Sequence, residues 1–251
     1  MQPESGTGNP DVLFDSHQPG GQASPDEGSD PETGRAPLRV SEAQRASFFI
    51  DGFNLYHGME AIGDPRLKWL DLMSLCRSFL REGDQIADVY FFTALNTWDK
   101  AKRERHVAYI TALEETGVQV RRGSFDRKPK FCWESESYCR SPAEKKTDVG
   151  IAVTLIADGF ENRYDKAFLV SADSDHVPTA ERFRRSLGHK RLFLIAPPNR
   201  LDQARELGDA VGGRPFQITA QRLREHQLAP EYRRGGRLIA ARPAAYGPHG
   251  Q

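Results

Sequence analysis

Short apolar runs built from β-branched and aromatic residues alternate along the middle of the chain with longer segments whose apolar positions recur at helical spacing. Strands and helices taking turns in this way predict a parallel sheet covered by helices. Candidate strands are Ser47–Ile50, Ile86–Phe92, Val118–Arg121, Ala167–Val170, Arg191–Ile195 and Phe216–Ile218. Leu70, Met73, Leu75, Phe79 and Leu80 support a helix over about Trp69–Leu80, and a longer one is expected over Lys100–Glu115, stopped by Gly117. A third helix, near Ala143–Asp158, carries Val149, Ala152, Val153 and Ile156 at helical spacing and further apolar residues on its other side, so it is expected to be largely buried. Pro178 and Gly188 supply start and stop signals for a fourth, running to about Leu187.

The pattern fades at both ends. Residues 1–43 are rich in Gly, Pro, Ser, Asp and Glu with few large apolar side chains, a composition that cannot bury enough surface to offset ordering entropy, and a disordered acidic tail is expected there. Residues 230–251, with Arg233-Arg234-Gly235-Gly236-Arg237, read as a flexible basic tail, either merely solvated or in contact with phosphates. One domain over residues 44–229 suits a chain of 251 residues. The 35 basic and 35 acidic residues balance, so net charge gives no reason to expect a polyanionic partner. The distribution is uneven, however: residues 1–42 hold eight acidic and two basic side chains, and residues 222–251 hold six basic and two acidic. Cys76, Cys132 and Cys139 are too few for a disulfide framework, which points to a reducing cytoplasm. Neither a signal-like start nor a run of roughly 20 apolar residues is present, so neither export nor a membrane span is expected.

Carboxylates stand where packing does not ask for them. The first strand ends in Asp51-Gly52-Phe53-Asn54, and the strand Ala167–Val170 ends in Ser171-Ala172-Asp173-Ser174-Asp175. Both place acids at the carboxyl edge of the sheet, where open α/β sheets bind ligands. Gly52 is expected to let the chain turn away sharply, and Asp148 stands at the head of the apolar helix. Each acid alone has an ordinary explanation as a turn or cap residue. Together at one edge they would repel one another without a cation, and Mg²⁺ or Mn²⁺ accepts such oxygen ligands. Phosphodiester hydrolysis is the chemistry that follows from such a site, with water as nucleophile.

Three stretches resemble one family. Phe49-Ile50-Asp51-Gly52-Phe53-Asn54-Leu55-Tyr56, Glu144-Lys145-Lys146-Thr147-Asp148-Val149-Gly150-Ile151-Ala152 and Val170-Ser171-Ala172-Asp173-Ser174-Asp175-His176-Val177-Pro178 are similar to the LabA-like branch of the NYN-domain proteins, within the wider PIN-like nuclease group. Ala196-Pro197-Pro198 and Leu207-Gly208-Asp209-Ala210 continue the likeness in order. The resemblance implies a PIN-like Rossmannoid three-layer α/β fold, a central mainly parallel sheet flanked by helices. It also implies a metal-dependent ribonuclease whose catalytic and metal-binding residues are Asp51, Asp148, Asp173 and Asp175. Asn54 would orient a water or phosphate, Ser171 and Ser174 would hydrogen-bond the carboxylates, and Lys145 would meet the RNA backbone. Asp209 is either an outer ligand or a helix-end residue without catalytic duty.

Two positions depart from the family's pattern. His176 takes a place that is usually apolar, and reads either as a ligand or proton carrier or as a packing substitution. Cys132 and Cys139 replace a paired Cys-x-x-Cys and do not make a zinc site by themselves. The loop from Arg121 to Phe131 mixes basic and aromatic residues, and Arg121, Arg122 and Lys128 are candidates for gripping RNA phosphates. An aspartyl-phosphate phosphatase would carry Asp-x-Asp on its first strand, where Asp51-Gly52-Phe53 stands instead. The stronger rival is a non-catalytic RNA-binding or regulatory protein that keeps the fold. Oligomeric state and the physiological RNA are not legible.

Overall fold

A computed structural model describes residues 43–96, 98–126, 130–133, 136–139 and 143–247, and each of the six apolar runs is a strand of one sheet in it. The first part of the chain forms β1 (Arg45–Asp51), α1 (Gly52–Glu60), α2 (Leu72–Arg77), β2 (Gln85–Thr93), α3 (Lys100–Glu115) and β3 (Gln119–Arg122). Four short strands follow: β4 (Ser124–Asp126), β5 (Lys130–Cys132), β6 (Ser137–Cys139) and β7 (Ala143–Lys145). Then come α4 (Thr147–Phe160), β8 (Lys166–Val170), α5 (Val177–Ser186), β9 (Arg191–Ala196), α6 (Arg205–Val211), β10 (Phe216–Gln217) and α7 (Ala220–Glu225). A hairpin of β11 (Glu231–Arg234) and β12 (Arg237–Ala241) ends the fold.

The main sheet has the order β10-β9-β8-β1-β2-β3, and every neighbouring pair is parallel. From β1 the chain builds outward through β2 to β3, then returns and builds the other way from β8. The reversal falls between β1 and β8, and the carboxyl ends of strands flanking such a switch point form the crevice where α/β sheets bind ligands.

Strand periodicity sorts the core into two layers. Phe48, Ile50, Val89, Phe91, Phe168 and Val170 pack with Leu72, Leu75, Tyr109, Leu113 and Leu223, whereas Phe49, Tyr90, Phe92, Leu169 and Leu194 pack with Ile151, Leu155, Phe183 and Leu207. Residues i and i+2 share a face, so one sheet serves both layers. Each of these side chains contributes about 1.5–3 kcal/mol on burial. Phe48 stacks on Phe168 with ring centres 4.5 Å apart, tying the two halves of the sheet across the switch point.

Several expectations are corrected. The helix expected from Ala143 starts at Thr147, because Ala143–Lys145 pairs with β4 as β7 and Lys146 stands in the left-handed region at φ 77°. That helix is buried on one stripe only: Ile151 and Leu155 face the sheet, while Val149 and Val153 are 67% and 62% exposed on the outer side. Of the helix expected over Trp69–Leu80 only Leu72–Arg77 forms; Leu70 bridges Gln227 and Asp71 caps the first turn by accepting from Ser74 N–H. The turn expected at Gly52 is the first residue of α1. Its φ is not positive; a Cβ there would stand 2.5 Å from the Phe92 carbonyl oxygen, so glycine is required for close approach to β2.

Within the stretch 230–251 expected as a flexible tail, β11 and β12 form a hairpin, Tyr232 and Tyr246 pack on the core and Ala240 is buried. Alternation of Leu238 and Ala240 against Tyr232 was masked by the surrounding arginines and glycines. The expected acidic tail lies outside the described residues up to residue 42. Among the described residues no helix is long and apolar enough to cross a membrane.

Candidate metal centre

The pleat of β1 sends Phe49 and Asp51 into the layer of α4 and α5 and sends Phe48 and Ile50 into the other. Asp51 is therefore buried at the carboxyl end of the strand, 4% exposed. Both of its oxygens are held. Oδ1 accepts the Asn54 backbone N–H at 2.9 Å, capping α1, and Oδ2 accepts the Ser171 hydroxyl at 2.9 Å. Asn54 Oδ1 in turn accepts the Ala172 N–H at 3.2 Å, so the ends of β1 and β8 are stitched together at the switch point.

Two more groups converge on Asp51. The left-handed Lys146 redirects the chain from β7 into α4, whose first turn carries Asp148. After β8 a 3-10 turn, Ser174–His176, sets His176 one turn beyond Asp173 and folds its ring inward, where it is 1% exposed. His176 Nε2 lies 3.9 Å from Asp51 Oδ2 and 3.9 Å from Asp148 Oδ1, and one ligand atom from each of the three residues lies within 4.8 Å of the others. These gaps are too long for hydrogen bonds. Among the described residues neither ring nitrogen of His176 has a hydrogen-bond partner, which is costly for a buried imidazole. The Asp148 carboxyl titrates above the ordinary carboxylate range: burial raises it first, the Asp51 charge adds to this, Asp173 and Asp175 contribute smaller increments, and His176 opposes.

The arrangement could hold a cation. Two carboxylate oxygens and an unpartnered imidazole nitrogen facing one space form a donor set for a divalent first-row ion. Asp51 arrives preoriented by its cap and by Ser171, as ligands supported by a surrounding hydrogen-bond network do.

The remaining predicted residues take distinct places. Asp173 is half-buried; its N–H donates to Ser171 Oγ at 3.1 Å and its Oδ1 accepts the Asp175 N–H at 3.0 Å, capping the turn. Asp175 and Ser174 are exposed on that turn, and the Ser174 hydroxyl makes no hydrogen bond to a carboxylate among the described residues. Lys145 is exposed at the end of β7, three residues before Asp148. Asp209 is exposed on α6 and is not brought into the group. Arg121 and Arg122 part company: Arg121 lies over the Tyr90 ring on the α4 face, and Arg122 turns to Glu114 of α3 at 3.6 Å. Lys128 lies outside the described residues, and the strand register sets Cys132 opposite Ser137 and Cys139 opposite Lys130.

Sequence reasoning left His176 open. The signal was its position three residues after Asp173 at a strand end, but only the 3-10 turn decides that its ring points inward. That turn and the burial depend on α4 and α5 packing around it.

Comparison with known proteins adds three findings. The sequence profile of the NYN domain matches residues 45–211. A 6-hydroxy-3-succinoylpyridine 3-monooxygenase of Pseudomonas putida is 23% identical over 181 residues, covering 57% of this chain, and the chain spans 57% of the length of that relative. A protein of unknown function from Vibrio parahaemolyticus with a solved structure matches at 19% identity and a TM-score of 0.46, over 73% of this chain and 96% of that one.

Proposed function

The chain belongs to the NYN domain family, and from that membership together with the converging Asp51, Asp148 and His176 we propose that it is a metal-dependent ribonuclease hydrolysing RNA phosphodiester bonds. The observation that carries the metal site is the buried His176 ring, unpartnered at both nitrogens and facing two carboxylates. The motifs around Asp51, Asp148 and Asp173-Ser174-Asp175 support membership of the LabA-like branch, and the free Cys76 accords with a cytoplasmic setting.

In this reading Asp51, Asp148 and His176 hold the cation, and Asp173 and Asp175 line the open side with further carboxylates. A divalent ion held there would supply Lewis-acid polarisation of a phosphoryl oxygen and a lowered pKa for the attacking water. Ser171 and the Asn54 N–H fix the Asp51 carboxylate so that it need not reorganise during the reaction. Lys145, exposed three residues before Asp148, offers charge to the RNA backbone, and Arg121, exposed near the end of β3, extends it. Arg122, paired with Glu114, joins them only as an outlying contact, and Asp209 has no direct part. The imidazole nitrogen favours Mn²⁺ over Mg²⁺, which prefers oxygen. The monooxygenase name describes the Pseudomonas relative and is not carried over at this identity and coverage.

The test is incubation of the purified protein with single-stranded and structured RNA in Mn²⁺, Mg²⁺ or EDTA, beside Asp51→Asn and His176→Gln. Cleavage is expected with metal, fastest with Mn²⁺, absent in EDTA and reduced at least roughly a hundredfold by Asp51→Asn. His176→Gln should weaken Mn²⁺ binding measured by calorimetry without RNA. Cleavage that survives both EDTA and Asp51→Asn would defeat the proposal; RNA binding without cleavage under every metal condition would favour the regulatory, non-catalytic reading.

A further inference from the structure

Three aromatic side chains from three separate connections meet at the carboxyl edge of the sheet. Phe53 comes from the first turn of α1, two residues after Asp51; Trp98 from the segment between β2 and α3; and Phe125 from β4. The ring centres of Phe53 and Phe125 are 6.5 Å apart, those of Phe125 and Trp98 are 5.1 Å apart, and both pairs are edge-on. His57 continues the row at 4.3 Å from Phe53, again edge-on. Such contacts are worth about 0.5–1.5 kcal/mol each and would suffice to hold loops together. A cluster serving only that purpose would be buried, yet Phe53 is 45% and Trp98 38% exposed.

The row stands beside the acids. β4 pairs with β7, the strand that leads through Lys146 to Asp148, and the two segments approach so closely that a Cβ on Gly123 would lie 2.6 Å from Thr147 Oγ1. Exposed cations border it: Lys145 lies opposite Ser124 across the β4–β7 pair, Lys146 follows, and Arg121 stands near the end of β3 with its guanidinium over the Tyr90 ring. Exposed ring faces with a cationic border beside a phosphate-cleaving centre form the combination that binds single-stranded nucleic acid, in which bases stack on aromatic side chains while the backbone follows positive charge.

We propose that Phe53, Phe125 and Trp98 form a nucleobase subsite that stacks an unpaired base adjoining the scissile phosphate. The inference rests on the ribonuclease reading for the identity of the phosphate and adds the residues that receive the neighbouring base. A base inside a duplex is stacked on its neighbours and cannot present its face to these rings. Arg121 and Lys145 act on the backbone irrespective of base, whereas the rings act only on a strand that carries bases.

Fluorescence anisotropy in EDTA separates the two, because no strand is cut. The full chain is titrated with a labelled oligouridylate, an oligomer of the same length with abasic sugars, and an RNA duplex. Phe53→Leu and Trp98→Leu should each weaken oligouridylate binding roughly five- to hundredfold and leave the abasic oligomer unaffected. Phe53→Trp, which keeps an aromatic face, should retain affinity and serves as the control for folding. Equal losses on both oligomers, no loss at all, or a wild type that binds the duplex as tightly as the single strand overturns the subsite. A variant that changes the oligomeric state without changing oligouridylate affinity also overturns it, since the rings would then be covered by a second copy. If metal-dependent cleavage is found while Phe53→Leu binds normally, only this inference fails. If the wild type binds single strands through the rings and never cleaves, the ribonuclease reading fails and the subsite stands.

Discussion

Asp148 stands exposed at the head of α4, where the helix dipole favours a carboxylate, but partial desolvation and the neighbouring Asp51 charge work against its ionised form. Its raised carboxyl pKa means that, without a cation, the ionised form opposes folding above that value, and the opposition is relieved as pH falls through it toward the ordinary carboxylate range. Asp148→Asn should therefore stabilise the metal-free protein at neutral pH by about 1 kcal/mol at most, given screening of a partly exposed group. That is a rise in melting temperature of roughly 2–4 °C. The gap to wild type should close as the pH is lowered, and the gain in melting temperature on adding Mn²⁺ should disappear in the variant. Scanning calorimetry across pH checks all three; a lower neutral-pH melting temperature for Asp148→Asn would refute the conflict. At this scale Asp51 was legible because an apolar strand ended on it. His176 was not, since its direction depends on a short turn enclosed by two helices.

Strands were read more accurately than helices, and for a physical reason. A strand buried on both faces is a continuous apolar run, while α1 opens on Gly52, a residue that also reads as a turn, and its apolar content is modest. β8 shows what apolar runs conceal. It begins with Lys166, 5% exposed, whose ammonium lies 2.8 Å and 2.7 Å from the two oxygens of Asp84, just ahead of β2. Burial alone would raise the Asp84 carboxyl; the Lys166 ammonium and backbone N–H groups reverse this and hold it below its usual value. The stability this provides is present above the ordinary carboxylate pKa and is lost as pH falls through the depressed one. Lys166→Met leaves a buried carboxylate unpaired and should destabilise by about 3–5 kcal/mol in urea titrations at neutral pH, with much of the loss recovered by adding Asp84→Leu. A near-neutral Lys166→Met would show the pair to be dispensable.

For the whole molecule, the alternation of elements made the three-layer arrangement legible before any coordinate, but not the closure of the C-terminal segment. That closure depends on partners far away in sequence. Trp69 Nε1 donates to the Ala229 carbonyl at 2.9 Å, 160 residues away, and Arg234 pairs with Glu115 of α3. Truncation after Pro230 removes Tyr232, Ala240 and Tyr246 from the core and should lower the stability by about 2–5 kcal/mol, read as a fall in the urea midpoint with increased binding of an apolar dye. An unchanged midpoint would restore the tail reading.

The reversal of strand order at β1 and β8 has a consequence for how the protein comes into being. Each half of the sheet is contiguous in sequence, and the site lies on the seam: Asp51 belongs to the first half, Ser171 and His176 to the second. A nascent chain emerging from the ribosome displays Asp51 120 residues before the Ser171 hydroxyl, whereas Asp148 emerges shortly before that hydroxyl and the imidazole. If the proposed function holds, ion capture waits on the docking of the second half, and the growing polypeptide passes through synthesis with its chemistry disarmed.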